Sequence, residues 1–319
     1  MPFGDQSWTG QIIWMLLFFT FILMYPKYML YKIVSELEEV AETLEGYTRN
    51  AVDIIVKTAS EKGKPPEDPR KTVLNAIEFF IISPVSLDPY GILKKIEHLI
   101  DRAEDKFESI ADKIAPKSDK VWRANTISLV KGGIGVNTIA KIVRHYVEFV
   151  KKTGNFQIAM IIQMNMPIIK KIAKAQMDGV KAISEGKPIG DGIGPMVAAS
   201  LIDGKCSSIA RDIIVRERKI GGKKVFVVKA DGPGANLGKF GDAVQNIAKK
   251  NKIAKIITVD ATVKLEGEKS GSVAEGMGAA IGDPGPEKAK MEEIALKNNI
   301  PLEAYVIKMS IEEAISPLT

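Results

Sequence analysis

Lys187-Pro188-Ile189-Gly190-Asp191-Gly192-Ile193-Gly194-Pro195, followed at once by the apolar run 196–202, is where this chain changes character. An acid stands between three glycines and a proline, with a helix expected immediately behind it. Glycine lets the backbone approach a ligand or another backbone closely. The free N–H groups at a helix start favour anions, and an aspartate in this position also caps a helix well. Asp191 is therefore read three ways at once: a catalytic acid, a metal ligand or a cap.

Downstream of this segment, strands and helices alternate. Residues 212–220 and 223–230 read as strands around Gly221-Gly222. The stretch Asp231-Gly232-Pro233-Gly234-Ala235-Asn236-Leu237-Gly238 then leads to a helix over 240–250. The β-branched run 253–259 reads as a strand ending on Asp260, and 273–281 as a glycine-spaced strand or loop. A helix over 286–298 carries Pro286 in its first turn, 304–309 is a further strand, and Ser310 with Glu313 caps a last short helix. The alternation predicts an α/β sheet, at least partly parallel and covered on both faces. Ligands of such sheets bind beyond the carboxyl ends of the strands. That places Asp260 and the Asp231 loop on a rim completed by the Asp191 loop. Two carboxylates meeting there can share a proton and activate water, or hold a divalent metal. Asp191 and Asp260 are accordingly the candidate catalytic residues and the candidate metal ligands. Gly232, Gly234 and Gly238 are candidates for cradling a phosphate, although no Walker-type lysine follows them and Pro233 removes a donor.

Upstream, the reading is helical. Residues 12–24 carry no charge, and Trp8, Trp14, Tyr25, Tyr28 and Tyr31 flank or punctuate them. An apolar helix of about twenty residues spans a bilayer, with aromatics favoured at its interfaces. No basic residue precedes this run and bulky residues follow it, which disfavours a cleaved signal peptide. Lys27 and Lys32 come only afterwards, so the expectation is a single-pass membrane anchor, N-terminus outside and bulk cytoplasmic. Pro26 predicts a kink or break near the inner end. Ile33, Leu37, Val40, Leu44, Tyr47 and Ala51 then form a heptad-like seam. It suits either a stalk pairing with copies of itself, a homo-oligomer, or a helix packed on its own protein. Gly63, Pro65, Pro66 and Pro69 mark a linker. Over 125–150, Gly132, Gly133 and Gly135 predict a broken helix, and 156–177 is rich in methionine. The domain plan is thus 1–32 anchor, 33–71 stalk and linker, 72–186 helical subdomain, and 187–319 α/β domain.

The totals narrow the function classes. The formal charge is +6 over 319 residues, with basic and acidic residues interleaved, and no RNA-binding aromatic motif or zinc-finger spacing occurs. No nucleic-acid partner is expected. The single cysteine, Cys206, forms no intramolecular disulfide and fits a reducing compartment.

Two segments together resemble a known pattern. Gly190-Asp191-Gly192-Ile193-Gly194-Pro195 before an apolar helix, with Ile256-Ile257-Thr258-Val259-Asp260-Ala261, looks like the two acidic motifs of the superfamily of spore germination protease and hydrogenase maturation endopeptidase. Asp283-Pro284-Gly285-Pro286 is similar to a loop of the germination protease branch. This resemblance implies a three-layer α/β fold of the hydrogenase maturation endopeptidase type and makes Asp191 and Asp260 the acidic pair. It further implies peptide-bond hydrolysis on a peptide or protein substrate, with or without a metal. Over its whole length the chain resembles an archaeal membrane family, the domain-of-unknown-function family 1512. Its carriers are the N-terminal anchor, the Gly190–Pro195 motif and Glu266-Gly267-Glu268-Lys269-Ser270-Gly271-Ser272-Val273-Ala274-Glu275-Gly276. That resemblance implies a membrane location and no particular activity.

Overall fold

The computed structural model describes residues 8–87, 91–232, 237–282 and 285–318. It begins with one helix, α1 (Trp8–Gly63), of 56 residues. Pro26 lies inside it without ending it, where the missing N–H leaves the helix one backbone hydrogen bond short. The apolar outer part is bare: Trp14 is 74% exposed and Phe21 61%. Among the described residues this is the one helix long and apolar enough to cross a membrane.

The lower half of α1 is buried by two helices, α4 (Lys120–Thr153) and α5 (Phe156–Ser184). Two helices come before them, the short α2 (Arg70–Ala76) and the 23-residue α3 (Ile92–Ile114). The α1 seam residues Ile33, Leu37 and Leu44 interlock with Val143, Val147, Val150, Ala159, Ile162 and Met166. Ala41 is buried with them, while Val40 and Tyr47 of the predicted seam are only partly buried. The heptad-like seam is therefore filled within the chain. Arg144 fastens it from the side through Glu45 (2.6 Å) and Glu38. The predicted break over Gly132 to Gly135 does not occur, because α4 runs through it. These glycines serve contact instead: a Cβ on Gly132 would stand 2.8 Å from Val180, and one on Gly133 2.8 Å from Ile55. Asp119 caps α4 by accepting from Trp122 N–H (2.8 Å), and Gly154 ends it at φ 62°. Asn155 then caps α5 by accepting from Ile158 N–H (3.1 Å). The α4–α5 connection is thus only two residues. Farther from the apolar end, α2 and α3 close a second core on Ile55, Val73, Phe107, Ile110 and Ile114.

The C-terminal part mixes helix and sheet, but its strands form two three-stranded sheets rather than one continuous sheet. The first holds β1 (Ser207–Ala210), β2 (Ile213–Ile220) and β3 (Lys223–Ala230), all antiparallel. Gly221 and Gly222, at φ 56° and 78°, supply the two left-handed residues that a tight hairpin needs, which forces β2 and β3 antiparallel. The second has the order β4-β6-β5, from β4 (Ile256–Val263), β5 (Val273–Met277) and β6 (Leu302–Met309). Only β4 and β6 are parallel, joined through α8 (Pro286–Lys297), while β5 runs antiparallel to β6. Helix α6 (Ile193–Ser200) packs against β4, and α7 (Phe240–Ala248) packs against α8. The last helix, α9 (Ile311–Ile315), opens with the expected capping box of Ser310 and Glu313.

Candidate functional site

Asp191 lies in a 3-10 turn, Gly190–Gly192, that leads directly into α6. Its own side chain caps nothing there, so the cap reading loses its hydrogen bond. The turn is pinned from two sides. On one side, Gly190 N–H donates to Ser316 O (2.9 Å) and Leu318 N–H to Pro188 O (3.0 Å). A Cβ on Gly190 would fall 2.0 Å from Glu313 O, so only glycine fits against the end of the chain. On the other side is β4.

Asp260 is not at the end of its strand, since β4 continues to Val263. Ile256 N–H donates to Pro301 O (2.9 Å) and Lys264 N–H to Met309 O (2.8 Å). The even-numbered residues of β4 therefore turn their backbone groups to β6, and Val259 and Ala261 present theirs to the open edge. The start of α6 lies along that edge: a Cβ on Gly194 would stand 2.5 Å from Val259 O and 3.3 Å from Asp260 Cα. The Asp260 carboxylate accepts the outward Ala261 N–H (2.9 Å). The turn that carries Asp191, 69 positions earlier in sequence, thus lies against the outer edge of β4 near Asp260 rather than on a rim of strand ends.

Their electrostatics follow from this placement. Asp191 is exposed by surface area and Asp260 half-buried, so each carboxyl keeps water on one side and protein on the other. Burial pushes the Asp191 carboxyl above the usual aspartate range. Burial also pushes Asp260 up. The Ala261 N–H pulls it down, and the negative charge of Asp191 adds a further upward push. Because solvent reaches Asp191, its shift is screened. Among the described residues no group of three or more His, Cys, Asp or Glu stands ready for a metal. His145 stacks on Tyr146 in α4, 5.4 Å between rings, and His98 lies in α3.

The other sequence candidates lie apart. Asp231 pairs with Lys120 at the start of α4. Gly232 has open space around it, whereas a Cβ on Gly238 would meet Ile213 at 2.6 Å and Asp212 O at 2.9 Å. Gly234 lies outside the described residues, as do Asp283 and Pro284. Sequence reasoning missed Thr258, buried on β4, which donates to Glu303 O (3.2 Å) and accepts from Ala280 N–H (2.9 Å). It also missed Glu287, a buried carboxylate in the first turn of α8. Neither carries a sequence signature, because a threonine in a strand and a glutamate after a proline are ordinary.

The close approach at Gly194 is testable. Gly194→Ala is expected to cost about 1–3 kcal/mol through forced displacement of α6 from β4. It should also let Asp260 titrate lower as the Asp191 charge recedes. Thermal melting and carboxyl NMR titration read both effects. Gly276→Ala, where a Cβ meets nothing within 4 Å, is the near-neutral control.

The comparisons with known proteins fit this two-part construction. The N-terminal domain described as "Protein of unknown function (DUF1512) N-terminal domain" matches residues 11–186, and the "Domain of unknown function (DUF1512) C-terminal" matches residues 189–319. No curated protein and no solved structure matches the chain. With both domains matched in order along the chain, the protein belongs to the DUF1512 family.

Proposed function

We propose that this protein is a membrane-anchored hydrolase of the peptidase-like kind whose working groups are Asp191 and Asp260. The observation that carries the reading is the packing of the Asp191 turn and α6 against the open edge of β4, where a Cβ on Gly194 would stand 3.3 Å from Asp260 Cα. Burial pushes both carboxyls up there, and the Asp191 charge adds to the push on Asp260. Two carboxyls that disfavour joint ionisation hold one proton between them over a range of pH. The ionised member takes a proton from water as the water attacks a peptide carbonyl. The protonated member gives its proton to the leaving amine, and the pair ends with its roles exchanged. With two carboxylates and no third ligand-type side chain at the described site, the donor set falls short of a three-ligand catalytic zinc site.

The fold also supports a division of labour. Helix α1 anchors the chain in a bilayer, and α4 and α5 stand against its lower part. Helix α5, 29 residues long, rises about 43 Å from the α4–α5 turn towards the Asp191 turn. A site held that far from the apolar segment suits a soluble polypeptide substrate rather than a lipid.

The test is a titration of carboxyl resonances in the full chain. Asp191 and Asp260 are expected to titrate in two coupled steps above the ordinary aspartate range. In Asp191→Asn, the Asp260 step should move down. Independent titration of both groups at ordinary values would sink the reading.

A further inference from the structure

We infer that the α4–α5 turn is a second membrane contact, seated on the headgroups of anionic lipid beside α1. This rests on the reading of α1 as a span. The turn lies level with the inner end of the apolar segment, because a Cβ on Gly154 would be 4.0 Å from Leu30 Cδ2 and Phe156 packs on the core that includes Leu30.

Charge selects the occupant. From Phe149 to Met177 the chain has no acidic residue, and it places Lys151 and Lys152 at the turn itself. On α1, Lys27 and Lys32 flank the same level, and no acid occurs between Trp8 and Val34. Lys151 is engaged by Glu38 and Glu148. Lys27, Lys32 and Lys152 are exposed. Each lysine near an anionic leaflet strengthens association on the order of five-fold.

The apolar residues around these cations point the same way. Phe149 is 39% exposed, Met160 42%, Ile161 60% and Met164 75%, all within the last turn of α4 or the first turns of α5. Tyr28 and Tyr31 stand exposed on α1 on either side of Leu30, which faces the turn, while Gln163 donates to Glu36 (2.7 Å) and so sets Met164 farther along α1. Lysines with aromatic and apolar side chains beside the end of a span form an interfacial surface. Lipid contact there would stop α1 from acting as a free swivel and would hold the helical bundle upright, fixing the height of the Asp191–Asp260 site.

The experiment places single nitroxide labels on the full-length protein in a Cys206→Ser background. Vesicles are either phosphatidylcholine alone or an equimolar mixture with phosphatidylglycerol. Labels go at Gln157→Cys on the turn, Leu17→Cys in the apolar segment and Ser60→Cys at the far end of α1. Collision with a water-soluble nickel chelate is expected to be several-fold lower at 157 than at 60, more so in the anionic vesicles. Lys152→Glu should reduce that protection. Equal chelate access at 157 and 60 in both lipids, with 17 protected, overturns the proposal while leaving the span intact. Aqueous access at 17 as well overturns the span reading itself. Spin–spin broadening at 157 that is independent of lipid overturns the proposal in favour of contact between copies.

Discussion

Asp260→Asn is expected to abolish peptide hydrolysis and at the same time raise thermal stability at pH above the folded pKa of Asp260. The amide keeps the acceptor for Ala261 N–H, so the local structure survives. What disappears is a charge that burial and Asp191 both disfavour. The sign follows from proton linkage. A carboxyl whose folded pKa is raised binds more protons in the native than in the unfolded state between the two values. Its contribution is therefore favourable below the ordinary carboxylate range and is lost as pH rises through the folded value. Above the folded value the carboxyl is ionised in both states and the native state carries the penalty. Removing it should add on the order of 0.5 kcal/mol, limited by the solvent that reaches the half-buried Asp260. The stability difference between wild type and variant should vanish in acid, where both carboxyls are protonated. Melting curves across pH test the stability half, and cleavage of a mixed unfolded-peptide substrate tests the other. A variant that retains hydrolysis removes Asp260 from the chemistry, whatever its stability.

Glu287→Ala is expected to be the most destabilising single change outside the bundle, at about 3 kcal/mol. Glu287 Oε2 accepts Gly241 N–H at 2.8 Å, and Oε1 lies 3.5 Å from Lys290 Nζ and 3.7 Å from Lys239 Nζ. Glu97 and Asp101 of α3 and Asp242 of α7 complete the network: Lys239 reaches Asp101 at 2.7 Å, and Lys290 reaches Glu97 at 2.6 Å and Asp242 at 3.1 Å. It is a polar joint between the helical part and the C-terminal part, alongside the pairs of Arg211 with Glu108 and of Lys120 with Asp231. Truncation leaves a buried backbone N–H without its acceptor and two partly buried lysines one carboxylate short. Those lysines keep their other partners, which holds the cost at the lower end for a broken buried ion pair. Glu287→Gln, which preserves the acceptor, should cost about 1 kcal/mol. Burial alone would lower the Lys290 ammonium, but Glu97 and Asp242 outweigh it and hold its pKa above the ordinary lysine range. The stabilisation from this lysine is therefore present below that range and lost only in strong alkali. Chemical denaturation with amide exchange of α7 and α8 distinguishes the two variants.

The legible parts of the molecule are those governed by local rules. The uncharged run 12–24 between aromatics is long enough for one apolar helix. The Ser310–Glu313 spacing became a capping box, and the Gly221-Gly222 pair became the β2–β3 turn. The change of texture after Lys187 marked the passage from helix to mixed sheet. Expectations that depended on a distant partner fared differently. Gly132 and Gly133 looked like a break, yet Val180 and Ile55 make them points of close approach. The seam of α1 fitted either another copy or the same chain, and the two-residue turn at Gly154 and Asn155 swings α5 back to fill it.

By itself, the sequence determined which residues carry charge and which backbone positions are free: an acid in a glycine turn, another in a β-branched strand, and an apolar segment ahead of them. Only the tertiary structure decided that the turn carrying Asp191 packs against the outer edge of β4 near Asp260, rather than beyond strand ends. The physical reason is that strand pairing, not residue type, sets which edge of β4 is open. One missing side chain, at Gly194, then lets α6 close against that edge within reach of Asp260.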